Sequence, residues 1–304
     1  MKSFLFKVLL FFSLLAIIDV GFKVAMDYIT RNIEIGGTGR DNFICNSVND
    51  EMLIFGSSKA ERHYNAQMIT DSLGIQCYNC GEDGCGIILA YGRMKMIKER
   101  YTPSAVLYEI TPIYDYLAGE DNHKYLGKLK RHYNRSGIDS LFWSIDNTER
   151  YKMLSGMYRH NSSFLQNIIV YVSGKSTPTG QRGFRPRNVE MDTLKIRRNY
   201  IVYDSKDGYF IDSLKLGYLN RFLDELSDSK IVFVVSPTWY GLDTLVLEPI
   251  KDICMIRKIP LLDFSNDISF VHHNEFFDDG THLNEKGANE FTIKLINRLR
   301  LIGF

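Results

Sequence analysis

Proline and tryptophan are scarce in this chain, with seven and two copies in 304 residues, and no internal repeat or low-complexity stretch is present. Collagen-like structure is therefore excluded. Excess charge of one sign is missing too. Lys plus Arg (37) against Asp plus Glu (36) leaves a net +1, so no global electrostatic case for nucleic acid exists. Cysteines number only five, at positions 45, 77, 80, 85 and 254, and an odd count leaves at least one unpaired within the chain. No second pair accompanies Cys77-x-x-Cys80, which removes the four-thiolate zinc reading. A redox pair normally opens a helix, whereas this one straddles the end of an expected strand. Small buried residues, or one disulfide in an oxidising compartment, are the two readings left.

What is present is ordinary globular material: 45% apolar and 24% charged residues in 35.1 kDa, enough for one large domain or two small ones. The charge is unevenly spread. Residues 120–200 hold fifteen Lys/Arg against seven Asp/Glu, a net +8, so the remainder carries −7. Such a stretch is a solvated surface, or it faces an anionic polymer or lipid headgroups.

One long apolar run stands at the N-terminus, Phe4 to Val20, with Lys2 and Lys7 at its start. No small-residue cleavage pattern follows it, since Ile17-Ile18-Asp19-Val20-Gly21-Phe22 is too bulky. The apolar pattern continues to Ile29, and ~20 residues suffice to span a bilayer. Residues 1–31 are therefore expected to be an uncleaved signal anchor, with 32–49 a linker and 50–304 the main domain. The two early lysines favour a cytoplasmic N-terminus, which places the rest in the periplasm or outside the cell.

From residue 50 onward short apolar runs alternate with helical periods. Strands are expected at Met52–Phe55, Ile75–Asn79, Ala105–Tyr108, Ile231–Val235 and Leu261–Phe264. Between them, Asn65 and Gly74 bracket one helix, Ile87 to Ile97 marks a second, and Leu214 to Leu226 a third. A further helix runs from about Ile250 to Arg257, and Asn284 caps the last. Continuous apolar strands with helices between them signify a parallel sheet covered on both faces: an α/β fold, a three-layer sandwich of five strands. Residues 116–200 break the alternation and form an insertion after strand three, either a substrate-facing lid or a surface elaboration. Within it Lys175 to Asn188 reads as a loop.

Three segments carry chemistry. Gly56-Ser57-Ser58 follows strand one, where a serine sits at the sheet edge near a helix N-terminus. Asn79 to Gly86, after strand two, holds Gly81, Gly84 and Gly86, which permit close approach of a ligand to the backbone. Asp279-Gly280-Thr281-His282 precedes the last helix. A carboxylate so placed takes the imidazole Nδ1–H and leaves Nε2 to accept a serine proton. His272-His273 with Asp278 and Asp279 offers the residue types of a metal cluster, but its spacing fits no standard pattern. Arg62-His63-Tyr64, close behind Ser58, reads as an anchor for the turn, and Glu109 as an ion-pair partner of Arg62 or Lys59.

These residues resemble the SGNH (GDSL-like) hydrolase superfamily over 50–110 and 230–300, and in particular its membrane-anchored cell-envelope branches such as the teichoic-acid D-alanylation proteins. The resemblance implies a flavodoxin-like sheet, Ser58 as nucleophile, and Asp279 and His282 completing a triad. Leu283-Asn284-x-x-Gly287-Ala288 continues it. Ser57 stands where the superfamily usually has Asp. The oxyanion would be held by the amides of Ser58 and Gly81, with Gly84 as the other candidate glycine. The third block, at Glu109-Ile110-Thr111-Pro112, lacks the family's asparagine, so Asn79 or a backbone N–H is expected to substitute. Loss of one such donor costs ~10²–10³ in rate. The implied function is a serine esterase or O-acyltransferase acting on acyl esters of an envelope polysaccharide, with no cofactor and no metal. The rival is a weak or inactive SGNH-like module that binds glycan or a membrane partner. A third reading, compatible with either, is that the protein works beside a multispanning membrane acyltransferase, with Arg182, Arg185 and Arg187 as the contact residues to test.

Overall fold

The computed structural model describes residues 1–191 and 209–304; the end of the insertion, 192–200, lies outside the described residues. Two long helices come first, α1 (Lys2–Arg31) and α2 (Gly36–Asn46). Then follow β1 (Met52–Phe55), α3 (Ser58–His63), α4 (Ala66–Leu73), β2 (Cys77–Asn79), α5 (Ile87–Lys98), β3 (Ala105–Glu109) and the single turn α6 (Pro112–Asp115). The insertion holds α7 (Ile138–Ile145), α8 (Glu149–Lys152), α9 (Gly156–His160) and α10 (Phe164–Ser173). The chain closes with α11 (Ser213–Glu225), β4 (Lys230–Val235), α12 (Glu248–Arg257), β5 (Leu261–Asp263) and α13 (Glu285–Leu301). Contacts divide these into two compact units, 1–47 with 122–178, and 48–121 with 179–304.

The second unit is the α/β fold expected from the sequence. Its five strands are all parallel in the order β2-β1-β3-β4-β5, with Phe55 opposite Tyr108, Tyr108 opposite Phe233, and Val234 opposite Leu262. Strand periodicity sends alternate side chains to opposite faces. Ile54, Leu107 and Val232 join Phe291 and Leu295 of α13 in one core. On the other face Phe55 and Tyr108 each meet Phe222 of α11 at 5.4 Å between ring centres. Helix ends obey their capping residues. The Asn65 side chain accepts the Met68 N–H, Gly74 closes α4 at φ 69°, and Asn284 accepts the Gly287 N–H to start α13. Strand β2 begins at Cys77 rather than Ile75, and the helix expected at the serine turn is α3, whose six residues are too few to show a helical period.

The first unit joins the N-terminal helix to the insertion. Phe22 packs edge-on against Phe164 at 5.8 Å, and Asp19 accepts hydrogen bonds from the Gly156 and Met157 N–H groups at the start of α9. Gly156 is needed there, since a Cβ would fall 2.3 Å from that of Lys23. Among the described residues α1 is the helix long and apolar enough to cross a membrane, and its apolar side chains from Phe4 to Val20, half-buried Val8 apart, are exposed. Helix α2 occupies most of the stretch 32–49, and residues 122–178 pack with α1 and α2.

Candidate active site

In an open parallel sheet ligands bind beyond the carboxyl ends of the strands, at the point where neighbouring connections diverge. Here that point lies between β1 and β3, because β1 leads to β2 on one flank while β3 lies on the other. After β1, Gly56 adopts φ +138°, and a Cβ there would lie 2.7 Å from the Glu109 carbonyl oxygen. This tight turn makes Ser57 the N-cap of α3 and Ser58 its first residue. The Ser58 N–H is one of the first-turn amides that a helix leaves without an internal partner.

The loop before α13 brings His282 to that serine, with Nε2 2.8 Å from Ser58 Oγ. On the other side of the ring Nδ1 lies 2.9 and 3.0 Å from the two Asp279 oxygens. Asp279 Oδ1 also accepts the N–H groups of Thr281 and His282 at 2.8 and 2.9 Å. Burial works to raise the Asp279 pKa, but the bond to His282, its charge and the two amides outweigh it and hold the carboxyl at about 2. An ionised Asp279 keeps the imidazole proton on Nδ1 and turns the Nε2 lone pair towards Ser58. The three residues singled out in the sequence thus meet, although 224 positions separate Ser58 from His282.

Beside them opens a cavity of about 540 Å³, with Ser57, Ser58 and Thr111 along one side and Ile113, Tyr114, Tyr240 and Leu242 among its walls. A larger void of about 890 Å³ lies between β5 and α13, where Lys294 is paired with Asp267 and neither serine, cysteine nor histidine is among the lining residues. The smaller cavity is the one that Ser58 and His282 line. Thr111 is held from two directions: its Oγ1 lies 2.7 Å from Ser57 Oγ, and its N–H donates to Asp115 at 2.6 Å. Burial lifts the Asp115 carboxyl to about 7, aided by the Glu109 charge and opposed by bonds from Thr111 and Tyr108.

The candidate oxyanion glycines stand elsewhere. The Gly81 N–H donates to Asn79 Oδ1 at 2.9 Å, and a Cβ on Gly81 would fall 2.5 Å from the Glu61 nitrogen. Neither Gly81 nor Gly84 lines the cavity. The Asn79 amide is committed to the carbonyls of Ala60 and Tyr64, so it braces α3 rather than facing a ligand. Arg62 pairs with Asp83, and Glu109 pairs with Lys59 at 2.9 Å. Arg182, Arg185 and Arg187 are likewise engaged, with Asp50, Glu61 and Asp278 respectively.

Sequence reasoning passed over Thr111 and Ser236 as site residues. Ser236 directly follows β4, as Ser58 follows β1, so its place at the carboxyl edge was the available signal. Its N–H and hydroxyl both donate to Glu109, which also accepts from Tyr64. His63, which reads from the sequence as a turn anchor, has its ring nitrogens 2.8 Å from Ser236 Oγ and 3.0 Å from the Leu283 nitrogen, whose N–H it accepts.

The histidine–aspartate cluster weighed for metal is dispersed: His272 lies against Trp239, His273 bonds Glu275, and Asp278 pairs with Arg187. Among the described residues two other groups bring potential ligands together, Asp41–Cys45–His132 and His123–Asp146–Glu149. Each already holds a cation. Arg131 bonds both Asp41 and His132, and Lys152 bonds both Asp146 and Glu149. All five cysteines are buried free thiols, and burial pushes the Cys77 thiol well above its ordinary pKa, which opposes a reactive role for the Cys77–Cys80 pair.

No protein-family model and no curated protein matches this chain. Among solved structures, an acetyl xylan esterase from the rumen bacterium Butyrivibrio proteoclasticus is similar at 10% identity and a TM-score of 0.33. The alignment covers 82% of this chain and 63% of that one, so the chain spans less than two thirds of that structure's length. A likeness this distant bears on neither activity nor substrate.

Proposed function

We propose that this protein is a membrane-anchored, extracytoplasmic serine hydrolase of SGNH type, an esterase or O-acyltransferase acting on acyl esters. The observation that carries the reading is the unbroken line from Ser58 Oγ through His282 to Asp279 at the carboxyl edge of a parallel sheet. Ser58 Oγ attacks the acyl carbonyl while its proton passes to His282 Nε2. The oxyanion accepts from the Ser58 N–H and the Thr111 hydroxyl, which we assign as donors in place of Gly81. The Ser57 and Thr111 hydroxyls share one hydrogen bond at 2.7 Å, and with Ser57 as its donor the Thr111 hydrogen is free for the substrate. Collapse expels the alcohol, which takes the proton from His282, and leaves acyl-Ser58. Water or a sugar hydroxyl then gives its proton to His282, attacks the acyl carbon, and Ser58 leaves with that proton. Water as acceptor makes an esterase; a sugar hydroxyl makes a transferase. The resemblance to envelope branches and the apolar helix α1, with Lys2 and Lys7 at its start, favour an acylated surface polysaccharide as substrate.

A fluorescent fluorophosphonate probe tests the reading on the full chain in detergent. Labelling should vanish in Ser58→Ala and in His282→Ala. Absence of labelling in a folded wild-type protein would sink the activated-serine assignment and leave the binding module.

A further inference from the structure

The basic character of the insertion finds a place in the first unit. Residues 122–178 hold nine Lys/Arg against three Asp/Glu, and three of those arginines, Arg131, Arg135 and Arg159, border one cavity of about 400 Å³. Arg31, the last residue of α1, is the fourth. Asp27 is the single carboxylate in the lining, and it is already bound to Lys23 at 3.4 Å and His160 at 3.0 Å. The positive charge is therefore not cancelled inside the cavity. Arg131 and Arg135 are partly used, on Asp41 and on Asn46 with the Cys45 carbonyl. Arg159 donates through Nε to the Met153 carbonyl at 2.6 Å and lies over the Tyr133 ring, which fixes its plane. Its two terminal nitrogens make no hydrogen bond among the described residues, and Arg31 is exposed.

A helix C-terminus would ordinarily repel an anion through its open carbonyls. Here the Asn42 amide covers the carbonyls of Thr30 and Ile33 at 2.8 and 2.9 Å, and the Asn32 amide covers that of Tyr28 at 2.7 Å. What faces the cavity is guanidinium, whose planar fork matches the oxygens of phosphate. A metal cation would be rejected by the same charges.

We propose that this cavity binds a phosphate group, carried either by an anionic lipid headgroup or by a soluble phosphate compound. The lipid source rests on the membrane reading of α1, and the soluble source does not. The apolar stretch Phe4–Val20 of α1 is about 26 Å long, close to the ~30 Å hydrocarbon core of a bilayer, and Arg31 lies about 16 Å further along the helix on the side opposite Lys2, past Asp19 and Phe22, which pack on α9 and α10.

The test uses the full-length protein in two arms. In detergent it is titrated with inorganic phosphate by calorimetry. In nanodiscs of phosphatidylcholine alone, or mixed equally with phosphatidylglycerol, native mass spectrometry counts the phosphatidylglycerol retained. Arg31→Gln/Arg159→Gln is compared with Lys124→Gln/Lys175→Gln, which removes the same charge elsewhere in the unit. Binding in either arm that weakens roughly ten-fold or more in the arginine variant alone supports the site and identifies its source. Arg31→Lys/Arg159→Lys should fall between, and matching melting curves show that the variants remain folded. No binding in either arm, or equal weakening in both double variants, overturns the proposal. Should the chain fail to enter nanodiscs, the membrane reading falls and the phosphate arm alone decides.

Discussion

The backbone N–H of Leu283 donates to Nε2 of His63 at 3.0 Å, one residue beyond the histidine that meets Ser58. An accepting Nε2 requires the proton on Nδ1, which donates to Ser236 Oγ at 2.8 Å, and that hydroxyl in turn donates to Glu109 at 2.9 Å. The chain ties the His282 loop to the ends of β3 and β4. Burial, then the charges of His282, Lys59 and Arg62, hold His63 well below its usual 6.5, so it stays neutral in the folded protein.

Replacing His63 should therefore loosen His282 without touching the reacting atoms. His63→Phe keeps a ring beside Phe291 but orphans the Leu283 N–H, at a cost of about 1–3 kcal/mol. Fluorophosphonate labelling should slow by roughly ten-fold or more. The unfolded chain binds a proton at His63 below about 6.5 and the folded chain does not, so wild-type stability falls as pH drops through that value. His63→Phe should flatten this part of the melting-temperature profile; an unchanged profile would remove His63 from the account.

Asp279 is read as the group that sets the His282 tautomer. Asp279→Asn should cut the labelling rate by a factor on the order of 10³–10⁴ while leaving the fold intact. Its folded pKa of about 2, below the ordinary 3.8, means its stabilising contribution is complete above pH 3.8 and lost as pH falls through about 2. A labelling rate unchanged in Asp279→Asn would contradict the assignment.

Thr111 lends itself to an isosteric test. Thr111→Val removes the hydroxyl and should lower kcat for an activated ester ~10²–10³-fold with little change in KM, whereas Thr111→Ser should retain most of it. Equal rates in the two variants would return the oxyanion to backbone donors alone.

Glu109 and Lys59 form an ion pair beneath the site, 0% and 4% exposed. Glu109→Gln leaves the ammonium uncompensated and should destabilise the protein by about 3–5 kcal/mol in urea denaturation. Lys59→Met in the same chain should recover part of that loss. A neutral Glu109→Gln would show that the pair is dispensable.

Much of the fold was legible locally. Apolar runs of four to six residues mark strands because a parallel sheet is buried on both faces, and β1, β3 and β4 lie where those runs predict. Asn65, Gly74 and Asn284 mark helix ends because capping is decided within one turn. Asp279 and His282 could be read together because they are three apart on one loop.

Other features have no local signature. That Glu109 pairs with Lys59 rather than Arg62, and that Asn79 braces α3, follow from which side chains the β1–β3 register places at one sheet edge. The oxyanion donors are of the same kind: the Gly81 N–H is directed to Asn79, while Thr111 reaches the cavity because β3 lies beside β1. Sequence likewise counts the arginines of the insertion but cannot say that three of them surround the end of α1. Periodicity, caps and short spacings act within a few residues, so the strands, the helix ends, the apolar N-terminal helix and the candidate residues Ser58, Asp279 and His282 are legible along the chain. Which donors, braces and charges surround that constellation was decided only by the tertiary structure, because those contacts join residues tens to hundreds of positions apart.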